Sequence, residues 1–162
     1  MMKYLIRYSF FYAIVVLPTV GFTDFSAQAE AKVIIKKIEA SAMDDMIEAK
    51  DNRIVVAFMA AWCGPCIQEL PDLNKLHKKY KNKGLNLIGV SIDPKGPEAM
   101  QPIVDQLRIN FPVYWYGEKA VIKYNLNAIP MLLFVKQGRI VERLRGKPSS
   151  AFLEKKIREF LK

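Results

Sequence analysis

Cys63 and Cys66 are the only two cysteines in a chain of 162 residues. Two residues between them is a spacing at which the sulfurs can close a disulfide and open it again. They stand in the run Trp62-Cys63-Gly64-Pro65-Cys66. An apolar stretch over 54–59 leads in, and behind the run Ile67, Leu70, Leu73, Leu76 and Tyr80 recur near helical spacing. The pair therefore falls at a strand-to-helix junction, with Cys63 at a helix N-terminus. Unpaired N–H groups and the positive end of the helix dipole favour a thiolate there, the form that attacks disulfides. Cys66 lies one turn further on, where better shielding is expected. The two read as an attacking and a resolving thiol. Pro65 stiffens the turn, and Gly64 leaves room for a bulky partner disulfide.

Other uses of a cysteine pair fit less well. Zinc would need ligands beyond one C-x-x-C, and the chain holds a single histidine, His77. Neither a metal nor another cofactor is expected. A static staple closing so short a loop would constrain the unfolded chain little. His77 is read as a surface residue on the polar side of its helix, and Met43, Met46, Met100 and Met131 as core filler.

The elements that must position the pair follow from length and pattern. The chain is 51% apolar and 11% aromatic, ample for one domain with a real core. Lys3 and Arg7 precede an apolar run over 10–17, then come Pro18, Gly21 and Ala27-Gln28-Ala29. This reads as an export signal over 1–29, either cleaved after its A-x-A site or retained as an anchor, with the domain over 30–162. An exported, oxidising compartment follows, periplasmic or at the extracytoplasmic face of the membrane. Loss of 1–29 removes two positive charges and one negative, so the net charge of +9 falls to +8. The basic residues suit a solvated face, or attraction to anionic lipid headgroups or an acidic partner. No nucleic-acid-binding motif or basic-aromatic alternation is present.

Within the domain, Val33-Ile34-Ile35 predicts a short edge strand, and Ser41 is a candidate cap for a helix through Met43, Met46 and Ile47. The strand over 54–59 and the cysteine-bearing helix to about Lys81 follow, with Pro71 inside that helix and Gly84 beyond it. Next come a strand over 85–92, a helix from Pro97 through Leu107, a strand over 111–115 and a brief helix over 118–124. A hairpin over 131–144 turns at Gln137-Gly138. Pro148-Ser149-Ser150 opens a closing helix burying Phe152, Leu153, Ile157, Phe160 and Leu161. Strands separated by helices, with a late hairpin, imply an α/β fold: a central mixed sheet flanked by helices.

With these residues in place, the chain resembles the thioredoxin superfamily over nearly all of residues 30–162. Trp62-Cys63-Gly64-Pro65-Cys66 matches its redox motif, and residues 124–130 resemble the approach to its cis-proline, with Asn125 where glycine is usual. Glu69 and Pro71 behind the motif, the export signal, and an extra helix and strand over about 94–115 resemble the exported TlpA/ResA, cytochrome-c-maturation branch. The resemblance implies a thioredoxin-like fold with that unit inserted before the cis-proline half, and thiol:disulfide oxidoreductase activity. It also implies a substrate-docking surface of Trp62, Gly64, Pro65, Ile129 and Pro130, with the Ile129–Pro130 bond cis. Ordinary thioredoxins bury an aspartate and a lysine where this chain has Ala57 and Gly89. Proton handling at Cys66 is therefore expected of Glu69, one turn further on.

The expected function is reduction of disulfides in secreted proteins or apocytochrome c through a Cys63/Cys66 dithiol cycle, the electrons coming from a membrane thiol donor. Disulfide oxidase or isomerase activity and a peroxiredoxin-like activity are lesser enzymatic alternatives. From a different class, a redox-independent chaperone or assembly-factor module on the same fold remains open.

Overall fold

The computed structural model describes residues 32–162, and the export signal read over 1–29 lies outside them. Eleven elements are described: β1 (Lys36–Lys37), α1 (Ala40–Glu48), β2 (Arg53–Met59), α2 (Gly64–Tyr80), β3 (Asn86–Ser91), α3 (Gln101–Gln106), β4 (Val113–Trp115), α4 (Lys119–Lys123), β5 (Met131–Lys136), β6 (Arg139–Arg145) and α5 (Ser150–Phe160). Among the described residues no helix is long and apolar enough to cross a membrane.

The strands form one six-stranded mixed sheet in the order β1-β4-β3-β2-β5-β6. β2 is parallel to β3, as are β3 to β4 and β1 to β4, whereas β5 and β6 join as an antiparallel hairpin. Ile54 through Met59 are all buried, the pattern of a strand covered on both faces. One face packs on α2 and α5, through contacts such as Phe134 with Phe160. The other meets α4, where Phe58 lies against Tyr124, and Asp44 ties α1 to α4 through Lys123. Met43, Met100 and Met131 are fully buried core residues and Met46 packs against them.

Several boundaries depart from the sequence reading, each for a local reason. The first strand is not Val33-Ile34-Ile35, because the Gln101 side chain takes up that segment's backbone: Ile35 N–H donates to Oε1 at 2.8 Å and Nε2 donates to Val33 O at 3.0 Å. Ladder pairing begins only at Lys36. Ser41 lies inside α1, which starts one residue earlier behind Glu39 with no side-chain cap. The helix expected from Pro97 splits into a 3-10 turn, Pro97–Ala99, and α3. Pro102 lacks the N–H that would continue it through Glu98, yet is tolerated in the first turn of a new helix. Phe152 is 42% exposed rather than buried, with Lys156 Nζ 5.6 Å from its ring centre. His77 is half-buried instead of free on the surface: its Nδ1 lies 2.7 Å from Asn110 Oδ1 and its ring meets Phe111 edge-on.

Ala57 and Gly89 are directly paired across β2 and β3, so two small residues stand side by side on the face toward α2. A Cβ built on Gly89 would lie 2.5 Å from Met59 Cε, 3.2 Å from Val113 Cγ2 and 3.3 Å from Phe111 Cε2. Apolar side chains fill that space. Gly89→Ala should therefore cost about 1–2 kcal/mol in urea unfolding, with part of the loss recovered when Met59 is also shortened to Val. Strict additivity of the two changes would contradict this packing.

Candidate functional site

β2 ends at Met59, and the next four residues turn the chain into α2, Cys63 N–H donating to Ala60 O at 3.0 Å. Cys63 is the N-cap of α2. Its sulfur accepts the Cys66 N–H at 3.2 Å, satisfying one of the amides that a helix start leaves open. Pro65 occupies the first turn, where its missing N–H costs nothing. His77, Lys78 and Lys79 fill the last turn and complement the other end of the dipole. α2 continues through Pro71 and stops past a 3-10 turn at Gly84, whose φ of +92° is left-handed.

Cys63 and Cys66 are joined as a disulfide with an S–S distance of 2.07 Å. They are 5% and 2% exposed, so the expected contrast in shielding is slight and both sulfurs lie in the core. Access comes from the neighbours. Trp62 is 65% exposed, Gly64 and Pro65 are exposed, and a Cβ on Gly64 would meet nothing within 4 Å. The Ile129–Pro130 bond is cis and Asn125 adopts φ +50°. Met131 pairs with Phe58 near the carboxyl end of β2, so Ile129 and Pro130 sit at the end of the sheet that carries the cysteine motif. Pro130 O is fixed by Gly146 N–H at 2.8 Å.

Glu69 is buried on the same helix, one turn beyond Cys66, and its Oε1 has no hydrogen-bond partner among the described residues. Desolvation pushes its carboxyl up to about 7, the positive charge of Lys147 pulling the other way and the negative charge of Asp72 adding to the rise. Its own helix places it there: Cys66, Glu69, Leu70 and Leu73 share the buried stripe.

A second carboxylate is buried beside the turn, at a position to which the sequence reading assigns no role. Asp93, 1% exposed, accepts the Ala61 N–H at 3.0 Å on Oδ1 and 3.1 Å on Oδ2, and the Ser91 hydroxyl on Oδ2 at 2.7 Å. Its backbone carbonyl accepts the Trp115 indole N–H at 2.7 Å. In the chain it follows a strong apolar strand and closes the run Val90-Ser91-Ile92-Asp93, which resembles the exported branch.

The AhpC/TSA family matches residues 21–143. Thiol-disulfide oxidoreductase ResA from Bacillus thuringiensis (strain Al Hakam) is 32% identical over 147 residues, spanning 83% of this chain and 84% of that protein. Among solved structures, a thiol:disulfide interchange protein of the thioredoxin family from Chlorobium tepidum TLS superposes with a TM-score of 0.62 at 21% identity, over 70% of this chain and 82% of the other. StoA from Bacillus subtilis does so with a TM-score of 0.59 at 18% identity, over 67% and 84%. The two structures bear on the fold, which is thioredoxin-like.

The Glu69 carboxyl binds its proton more tightly in the fold, at about 7, than at its ordinary 4.5. Its contribution to stability is complete below 4.5 and is lost as pH rises through about 7. Glu69→Gln should flatten this decline, and well above pH 7 should be more stable than the native chain by on the order of 3 kcal/mol. Denaturant unfolding of the disulfide form across pH checks this, and parallel profiles for the two proteins would refute it.

Proposed function

This chain belongs to the AhpC/TSA family of thioredoxin-like proteins and is a thiol-disulfide oxidoreductase, and on that premise we propose that it works outside the cytoplasm as a reductase of protein disulfides. The observation that carries the reading is the Cys63–Cys66 disulfide at the start of α2, with the Cys63 sulfur accepting a helix N-terminal amide. In the dithiol form the same amide and dipole stabilise a Cys63 thiolate.

That thiolate attacks one sulfur of a substrate disulfide. A mixed disulfide forms and the first substrate thiolate leaves, taking a proton. Cys66, deprotonated by the Glu69 carboxylate, then attacks Cys63 Sγ, expels the second substrate thiolate and closes the Cys63–Cys66 bond. Two electrons pass from the enzyme dithiol to the substrate. A carboxyl near 7 is suited to this exchange, being able to hold or release a proton at neutral pH. Trp62, Gly64 and Pro65 form the docking surface on one side, and on the other the half-buried Ile129, whose backbone can pair with an extended segment while the buried cis-Pro130 holds it in place.

The substrates are exported proteins with cysteine pairs, apocytochrome c among them, and a membrane thiol donor returns the electrons. The export signal read over 1–29 and the ResA-type likeness support this location. Exposed Arg139 and Arg145 on β6, Lys155 on α5 and Lys162 beyond its end support a weak attraction to anionic lipid headgroups. Gly64-Pro65 is the dipeptide of thioredoxin, whose potential is about −270 mV, and a reducing poise is expected.

The wild-type protein should catalyse insulin reduction by dithiothreitol, and Cys63→Ser should fall to the uncatalysed rate. Partner binding that survives loss of both thiols without any turnover would favour a redox-independent assembly module instead. The midpoint potential should lie near that of thioredoxin, and a value above about −150 mV would reject the reductase direction. In the native host, Cys66→Ser should accumulate mixed disulfides at Cys63 that identify the substrate; an empty trap counts against the scheme.

A further inference from the structure

Asp93 is a buried carboxylate beside the redox turn, and disulfide exchange as described takes no proton from it. Among the described residues no cation pairs with it: its partners are the Ala61 amide and the Ser91 hydroxyl. The group is held from behind by a rigid frame. Ser91 pairs with Met59 on β2 and with Trp115 on β4, Ile92 N–H donates to Met59 O at 2.9 Å, and the Trp115 indole fixes the Asp93 carbonyl.

Ala61 is two residues before Cys63, so the amide that Asp93 holds lies within about 8 Å of the Cys63 backbone. The carboxylate stands one hydrogen bond further off, at most about 11 Å from that backbone, and a charge enclosed by protein is screened far less than one in water. It opposes the helix dipole, which favours the thiolate at the same position. We propose that Asp93 is a positioning residue for the Cys63–Cys66 couple: its carboxylate clamps the Ala61 amide so that the turn into α2 keeps its geometry, and its unpaired charge disfavours the Cys63 thiolate, biasing the couple toward the disulfide.

This rests on the reading of Cys63 and Cys66 as an exchanging pair, and it is tested by equilibrium with glutathione. Two glutathione thiols are oxidised to one glutathione disulfide while the Cys63–Cys66 bond opens and takes up two protons. Asp93→Asn retains an oxygen for the Ala61 amide and removes the charge. Its equilibrium should shift toward the dithiol by about tenfold, a potential about 30 mV more oxidising, and insulin reduction should change in kcat with KM unaltered. A folded Asp93→Asn whose constant stays within about twofold of wild type overturns the proposal. If that variant does not fold, Ser91→Ala reads the same contact with opposite sign. Loss of the hydroxyl leaves the charge less compensated, and the equilibrium should move toward the disulfide; an unchanged constant overturns the proposal equally. Insulin turnover by the wild-type protein tests the reductase reading separately, because the glutathione equilibrium needs no protein substrate.

Discussion

β2 has no solvent-facing side, and that constraint governs the rest of the molecule. Six consecutive buried residues can be accommodated only if neighbouring strands satisfy the backbone on both edges and helices cover both faces. β3 and β5 supply the edges, while α2 and α5 on one side and α4 on the other supply the cover. A strand held in this way ends at a fixed point, and the cysteine turn begins there. The redox pair inherits its placement from the most enclosed strand of the sheet, although its neighbours Trp62, Gly64 and Pro65 stand in solvent.

Two carboxyl groups are buried close to this turn, and the fold treats them differently. Asp93 has its oxygens occupied by an amide and a hydroxyl, which compensates a charge removed from water. Glu69 has an oxygen with no partner and is pushed toward the neutral acid. A bonded carboxylate suits a fixed charge, and an unbonded carboxyl suits a proton that comes and goes. The atoms nearest a Cβ built at Gly89 are all apolar, from Met59, Val113 and Phe111.

Much of this was legible in the chain because it is written locally. The cysteine motif, the period of α2, the apolar run of β2 and the Gln137-Gly138 turn are each contained in a short window, and the cis bond before Pro130 came through family likeness. What was not legible depends on distant partners. Val33-Ile34-Ile35 has the composition of a strand, yet a side chain 66 positions away takes its hydrogen bonds. His77 sits on a polar stripe that the segment carrying Asn110 and Phe111 happens to cover. Asp93 closes a run that resembles the family, yet nothing near it in the chain announces the Ala61 amide. Phe152 matches the period of α5 but lies at its first turn, at the margin of the covered surface.

The parallel run β1-β4-β3-β2 has a directional consequence. All four strands point their carboxyl ends toward the cysteine turn, and β1 lies level with the last residues of β2: Lys36 pairs with Tyr114, Tyr114 with Val90 and Val90 with Phe58. Val33 and Ile35, gripped by Gln101, lie just before that level, and at about 3.3 Å per residue Val33 is only about 10 Å short of Lys36. The segment that leads into the domain thus borders the redox end of the sheet, and the short outer edge formed by β1 flanks the same end from which the cysteine turn emerges.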